Sequence, residues 1–108
     1  MTRHVNYRDD LLSDLRNDPE FAAEYLSAAK ADSKEAFLGA LRDLAEAREG
    51  MKSTARKARL NRESLYRALS KRGNPSIETL DAVLNAFGIE TRFVARAAGS
   101  RKKNRRVA

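Results

Sequence analysis

The sequence lacks several residue types on which common protein chemistry depends. It contains no cysteine, which excludes disulfides and thiolate metal sites. Its single histidine, His4, lies near the first residue, so no Ser–His–Asp triad or histidine-based metal site is available inside the fold. The carboxylates do not cluster in the pattern of a metal-binding loop. We therefore expect neither catalysis nor a metal nor another cofactor.

Long apolar segments are also missing. No run approaches the roughly 18 residues that a membrane-spanning helix requires. The first residues carry no apolar stretch of the secretory type. These features predict a cytoplasmic protein that does not enter a membrane. Aromatic residues make up only 6%, and the apolar residues are largely Ala and Leu, which is typical of a helical domain and not of a β-sandwich.

Charge is distributed unevenly between the two halves of the chain. Residues 1–50 carry seven Lys and Arg against eleven Asp and Glu, whereas residues 51–108 carry fifteen against four. The net charge is therefore −4 in the first half and +11 in the second. A basic half of this kind is typical of a protein that binds a polyanion, and the acidic half suggests a second surface with another partner. The alternative is that the charge only keeps the protein soluble.

Apolar residues recur at intervals of three and four along most of the chain, which predicts an all-helical fold. Asp18, Asn61 and Ser76 precede three of the helices as capping residues, and Asp32 begins a capping-box sequence. Gly50 is predicted to end the third helix. The predicted helices span residues 6–16, 19–31, 33–48, 51–58, 62–70 and 77–87.

Polarity alternates along residues 89–96, which predicts a short strand after the last helix. A single strand needs a partner for its backbone groups, either in a second copy or in the sheet of another protein. The alternatives are a docked extended segment or an extension of the helix. Residues 97–108 end in a block of Lys and Arg, which predicts a flexible basic tail that adds non-specific phosphate contacts.

Residues 51–72 combine two short helices, a three-residue turn, eight Lys and Arg and one Glu. These proportions favour a helix-turn-helix, in which the first helix crosses the DNA backbone and the second enters the major groove. Lys52, Arg56 and Lys57 on the first helix are candidate phosphate contacts.

The second helix carries the residue types that read base edges. Arg62 and Arg67 can each present a bidentate fork to guanine, and Glu63 can accept from a cytosine amino group. Asn61 and Ser64 lie at the helix start, where backbone N–H groups and the helix dipole favour a phosphate. The predicted DNA-binding residues are Lys52, Arg56, Lys57, Asn61, Arg62, Glu63, Ser64 and Arg67.

The segment MKSTARKARLNRESLYRALSKRGNPSIETLDAVLNAFGI, residues 51–89, resembles the lambda-repressor-like (XRE) helix-turn-helix family. More narrowly, its strings RESLYRALS and GNPSIETL resemble the addiction-module antidote proteins related to HigA-type antitoxins. The upstream strings DLLSDLRNDPEFAAEYLSAAK and EAFLGALRDLAEAREGM are similar to the same family. The resemblance therefore extends from about Tyr7 to Val94.

This resemblance implies a five-helix repressor-like DNA-binding domain, here with extra N-terminal helices and a short C-terminal strand. It also implies a homodimer that represses its own operon at double-stranded operator DNA and neutralises a RelE/HigB-type toxin. The corresponding segments are residues 1–32, a helical contact for toxin or dimer, then residues 33–96, the DNA-binding domain with its strand, and residues 97–108, the basic tail. The alternatives are a solitary XRE-type regulator and a non-specific nucleic-acid-binding protein.

Arg59 departs from the family pattern, which usually has Gly in the turn of the motif. An Arg at this position must either adopt an unusual backbone angle or belong to a turn of different geometry.

Overall fold

The computed structural model describes residues 6–97, and this part of the chain is all-helical. None of its helices is both long and apolar enough to cross a membrane. The predicted all-helical class is confirmed over these residues. The helices are α1 (Tyr7–Asn17), α2 (Pro19–Asp32), α3 (Lys34–Ala47), α4 (Gly50–Ala58), α5 (Arg62–Ala68) and α6 (Ile77–Ala86).

Side-chain caps define where most of the helices begin. The side chains of Asp18, Ser33, Asn61 and Ser76 each accept a hydrogen bond of 2.9–3.0 Å from the backbone N–H three residues further on. Three of these caps were predicted and are confirmed. The capping box predicted from Asp32 is displaced by one residue, because Asp32 still belongs to α2 and Ser33 caps α3.

The helices share one hydrophobic core that is organised around α3. Helices α1 and α2 pack against each other and against α3, while α4 connects α3 to both α5 and α6. Leu38, Leu41 and Leu44 of α3 are each at most 1% exposed. The same cluster of buried side chains extends from Leu15 in α1 to Phe87 after α6. The first two helices and the basic second half therefore depend on the same buried surface.

Gly50 does not end α3 as predicted, since it is the first residue of α4. Helix α3 ends at Ala47, and the chain reverses through Arg48 and Glu49. Glu49 and Gly50 have φ angles of 78° and 95°, so the left-handed turn begins one residue before the glycine. Sequence reasoning assigned this conformation to glycine alone, because a side chain with a Cβ rarely adopts it.

The predicted C-terminal strand is not present, because residues 89–97 form neither helix nor strand. Among residues 6–97 there is no other extended segment with which this stretch could form a ladder. The expectation of a five-helix domain with further N-terminal helices was also wrong. The described residues hold six helices in all, and only four follow residue 32 because the alternating pattern after Gly88 provides no helical apolar face. Most of the predicted basic tail, residues 98–108, lies outside the described residues.

Candidate nucleic-acid interface

Helices α4 and α5 form a compact two-helix unit joined by Arg59, Leu60 and Asn61. The turn is closed by a 2.9 Å hydrogen bond from the Leu60 N–H to the Ala55 carbonyl, which is the bond pattern of a helix end that usually carries Gly. Arg59 occupies that position with φ 61° and ψ 42°. The unusual backbone angle expected for Arg59 is therefore present, and the turn keeps its ordinary geometry around a residue that strains it.

Helix α4 is divided between a buried side and a basic exposed side. Ser53, Thr54 and Ala55 are at most 5% exposed. The Thr54 hydroxyl donates to the Gly50 carbonyl over 2.9 Å, so this buried hydroxyl is satisfied within the helix. Lys52 and Arg56, four residues apart, share the opposite side and are exposed. This side presents positive charge away from the protein.

Helix α5 is anchored by two leucines and directs its polar residues outward. Leu65 and Leu69 are at most 1% exposed. Glu63 and Arg67, one turn apart, lie roughly opposite to the two leucines around the helix and are exposed. Arg62 is about 60° from Leu65 in the same projection, so it leaves the helix at the side of its first turn. The outward surface of α5 is therefore formed mainly by Glu63 and Arg67.

The N-terminus of α5 is already partly occupied by its own cap. The Asn61 side chain accepts the Ser64 N–H over 2.9 Å. This bond fixes the first turn and removes one of the free backbone donors that the sequence assigned to a phosphate. The exposed side chains of Asn61 and Ser64 therefore remain predicted DNA contacts. The backbone N–H of Ser64 is not available to a phosphate, because it is bonded to the Asn61 side chain.

The positive charge of this unit is not neutralised by neighbouring carboxylates. Among residues 6–97, the ion pairs are those of Arg8 with Asp43 and Glu46, and of Arg92 with Glu90. None of the eight Lys and Arg between residues 51 and 72 belongs to these pairs, and all eight are exposed. The structure therefore brings all the predicted DNA-binding residues to the exposed surface of α4, α5 and their turn. That these residues bind DNA stays a prediction.

Two residues that support α5 were not singled out by sequence reasoning. The Arg42 guanidinium of α3 donates from Nη1 to the carbonyl of Leu69, the residue that caps the C-terminus of α5. A cation at this end of a helix is stabilised by the free carbonyls and by the helix dipole. Gly73 lies so close to the same end that a Cβ there would be 2.0 Å from the Ala68 carbonyl oxygen. No short-range sequence signal marks the Arg42 contact, because Arg42 and Leu69 are 27 residues apart. The Gly73 contact is local, since Ala68 is only five residues away in the chain.

A polar network closes the side of α3 that faces away from its leucines. Arg8 of α1 contacts the carboxylates of Asp43 and Glu46 at 2.9 and 2.6 Å, and the Tyr25 hydroxyl donates to Asp43 over 2.7 Å. Burial, followed by the hydrogen bond and the negative charge of Asp43, raises the pKa of Tyr25 to about 12. The network joins α1 and α2 to α3 and makes no contact with α5.

A surface cleft of about 410 Å³ lies between this network and α5. The residues that line it include Arg42, Asp43 and Glu46 of α3, Met51 of α4 and Tyr66 of α5. Tyr66 is 52% exposed. The Tyr66 ring therefore lies at the surface of α5 and is not a residue of the core.

Comparison with known proteins places this all-helical chain in a family. The model of a family described as "probable addiction module antidote protein" matches residues 8–95. A relative from Haemophilus influenzae Rd, named only as an uncharacterized protein, is 36% identical over 81 residues, which cover 75% of this chain and 82% of the relative. No solved structure matches the chain. The chain belongs to the family of probable addiction module antidote proteins. This confirms the antidote part of the resemblance, while the narrower HigA-type and XRE assignment stays a prediction.

Proposed function

We propose that this protein is the antitoxin of a type II toxin–antitoxin module, and that it binds its own operator DNA as a homodimer through α4 and α5. In this proposal it represses its own operon and neutralises a RelE/HigB-type toxin in the cytoplasm, by binding alone and without catalysis. Its family supports the antitoxin role and implies a toxin partner. The DNA-binding part rests on one observation, the eight exposed Lys and Arg of residues 51–72 that have no carboxylate partner in the described chain.

The arrangement of these side chains suits a groove-reading unit. Lys52 and Arg56 on α4 provide the sequence-independent phosphate contacts that hold such a protein in register. Arg67 on the outward side of α5 has a free guanidinium fork, and the neighbouring Glu63 supplies an acceptor for a cytosine amino group. Arg62 extends the same reading surface at the start of α5.

The acidic first half suits the second partner. Asp10 and Asp14 on α1 and Glu20 and Glu24 on α2 are exposed, and none has an ion-pair partner among the described residues. Toxins that attack RNA are usually basic, so a surface of this sign steers their association and disfavours contact with DNA. We infer that residues 1–32 provide a toxin contact and that the basic tail, residues 97–108, strengthens DNA binding without selecting a sequence.

The DNA-binding proposal is tested by fluorescence anisotropy with the upstream DNA of the gene and a scrambled duplex, at one fixed salt concentration. We expect the upstream duplex to bind at least 10³-fold more tightly, roughly the lower limit for specific binders. Arg67→Ala and Arg62→Ala should each cost about 1–3 kcal/mol and relax the preference at one base position. Arg16→Ala on α1 removes the same charge from an exposed position and should change neither property.

A Lys52→Ala variant distinguishes sequence-independent phosphate contacts from sequence recognition. It should weaken both duplexes equally and reduce the slope of log K against log salt by about 0.9. Equal affinity of the wild-type protein for the two duplexes would contradict operator reading and favour the non-specific alternative. Deletion of residues 101–106 should weaken binding to both duplexes, and a loss of preference on this deletion would assign reading to the tail and not to α5.

The toxin proposal is tested by co-expression with the small protein encoded next to this gene. We expect the two to co-purify and growth to be restored. The double substitution Asp10→Lys and Asp14→Lys should weaken the complex, whereas Asp81→Lys on α6, which changes charge at another exposed site, should not. Absence of any complex would favour the solitary regulator.

A further inference from the structure

The segment after α6 exposes large apolar side chains at the surface. Phe93 is 97% exposed and Val94 is 86% exposed, whereas Phe87, six residues earlier, is 3% exposed. Ile89 still packs against the core, and its N–H donates to the Leu84 carbonyl over 2.9 Å. From residue 90 to residue 96 every side chain is exposed, and no backbone group bonds to another described residue. The chain thus leaves the body of the protein at Ile89.

The residues of this segment favour strand pairing over solvation. Thr91, Phe93 and Val94 are β-branched or aromatic and prefer the pleated surface of a sheet. Glu90 and Arg92, two residues apart, form an ion pair of 2.9 Å, which places them on the same side of the segment as in an extended chain. An extended segment with unpaired backbone groups is a template on which a strand from another chain can pair. No second strand exists among residues 6–97 to provide it.

We propose that a second copy of this protein provides it, and that residues 90–96 of two copies pair in antiparallel register centred on Phe93. This inference rests on the homodimer of the proposed function and assigns that dimer to a surface. Around a twofold axis at Phe93, the two Phe93 rings face each other, and Thr91 lies opposite Ala95 of the second copy. On the other side, Glu90 lies opposite Arg96 of the second copy, and Val94 lies opposite Arg92 of the second copy.

The register follows from charge complementarity. A register centred on Arg92 or on Val94 places arginines directly opposite each other, which is destabilising in an antiparallel pair. In registers centred between two neighbouring residues, Glu90 does not lie opposite an arginine of the second copy, so no Glu–Arg pair forms. A register centred on Thr91 would use Ile89, which already packs against the core of its own chain. Only the register centred on Phe93 gives two Glu–Arg pairs and a central aromatic pair.

The pairing is expected to be reversible. Isolated two-stranded ribbons are marginally stable in water, so the ribbon alone makes a weak dimer. Two copies held on neighbouring half-sites of DNA would be tethered, and the second contact then becomes intramolecular. The ribbon therefore joins two DNA-bound copies more strongly than it joins two free ones.

The absence of cysteine makes the register directly measurable in the full chain without DNA. Phe93→Cys places two thiols across the twofold axis, where paired Cα atoms are about 4.5–5.5 Å apart and a disulfide forms readily. Val94→Cys is the matched control at a similarly exposed neighbouring position. Its two Cα atoms would be about 8 Å apart, beyond the limit of about 7 Å. Under mild oxidation with diamide, we expect the Phe93→Cys dimer to form at least tenfold faster.

Charge exchange tests the same register without cysteine. Glu90→Arg and Arg96→Glu should each weaken the dimer about tenfold in sedimentation velocity, because each places two like-charged pairs across the ribbon. The double variant should recover the wild-type dissociation constant. Asp81→Arg on α6 changes the charge by the same amount as Glu90→Arg and should leave the dimer unchanged.

Equal cross-linking of the Phe93→Cys and Val94→Cys variants would overturn the proposal, because it would indicate random collisions between molecules and not pairing in one register. Failure of the double variant to recover the dimer, or a dimer that tolerates Phe93→Asp, would also overturn it. These results are separable from operator reading. If Phe93→Cys cross-links selectively but the protein does not prefer the upstream duplex, strand pairing is supported and operator recognition is contradicted. If the protein prefers the upstream duplex but does not cross-link selectively, only strand pairing is contradicted.

Discussion

Replacing Arg59 by Gly should make the protein more stable. The residue holds φ 61° and ψ 42° at the end of α4, a conformation that costs an L-residue with a Cβ about 1–2 kcal/mol. Glycine adopts it freely, but it also loosens the unfolded chain, which offsets roughly 0.4–1 kcal/mol of the gain. The expected net increase in the free energy of unfolding is therefore about 0–1.6 kcal/mol, and its midpoint of about 0.8 kcal/mol corresponds to roughly 3–6 °C in Tm.

The control for this prediction is Arg59→Ala. Both variants remove one positive charge from a crowded basic surface, but Ala keeps the Cβ and therefore the strain. Urea unfolding followed by circular dichroism gives the free energy of unfolding by linear extrapolation, and equal slopes show that the unfolded states are comparable. Equal stability of the Gly and Ala variants would refute the assignment of strain to the backbone. A gain in both variants of equal size would assign the effect to charge repulsion instead.

Three further predictions concern the supports around α3 and α5. Gly73→Ala should lower the free energy of unfolding by about 1–3 kcal/mol or more, because the added Cβ would lie 2.0 Å from a backbone carbonyl oxygen. Gly39→Ala, within a helix and with the nearest side-chain atom at 3.5 Å, should raise it by about 0.5–1 kcal/mol. Shifts of the urea midpoint in the same direction for the two variants would contradict this. Arg42→Gln should cost about 1–2 kcal/mol in urea unfolding by weakening the bond to the end of α5, and it should accelerate amide hydrogen exchange in that helix more than Arg16→Gln does. The pKa of Tyr25 is about 12, above the value of about 10 expected in the unfolded chain. The contribution of Tyr25 to stability is therefore complete below about pH 10 and is lost as the pH rises through about 12. Tyr25→Phe should make the urea midpoint less dependent on pH over this range, and an unchanged pH dependence would contradict the hydrogen bond to Asp43.

Much of the fold could be predicted from short-range sequence features. Residues with short polar side chains, such as Asp18, Asn61 and Ser76, mark helix starts because their oxygens reach a backbone N–H three residues away. Apolar period predicted the core side of α3. The same spacing includes Ile77, the first residue of α6, whose side chain is nevertheless 77% exposed. The prediction that Gly50 ends α3 was wrong, because the left-handed turn begins at Glu49, a residue that local preference would exclude from this conformation.

The basic and exposed character of residues 51–72 could be predicted from the sequence, whereas the contact of Arg42 with the end of α5 could not. Charge density and residue type are local properties, so residues 51–72 could be recognised as basic and the exposure of Lys52 and Arg67 followed from helical spacing. The bond from Arg42 to Leu69 depends on where α3 lies relative to the C-terminal end of α5. The spacing of apolar residues and the helix propensity of single residues carry no information about that arrangement, because it is set by the packing of residues that are distant in the sequence.

The shared core has a consequence for the lifetime of the protein. Leu15 and Leu26 in the first two helices belong to the same buried cluster as Val83 and Phe87 near the basic surface. A partner held by α1 and α2 would therefore lower the fraction of molecules that open along the whole chain, by mass action on the folded state. Its departure would expose the basic second half to proteases at the same moment as the partner's own contact surface. Removal of residues 1–32 would uncover Leu38 and Leu41 in every molecule, so such a truncated chain is expected to be degraded in the cell.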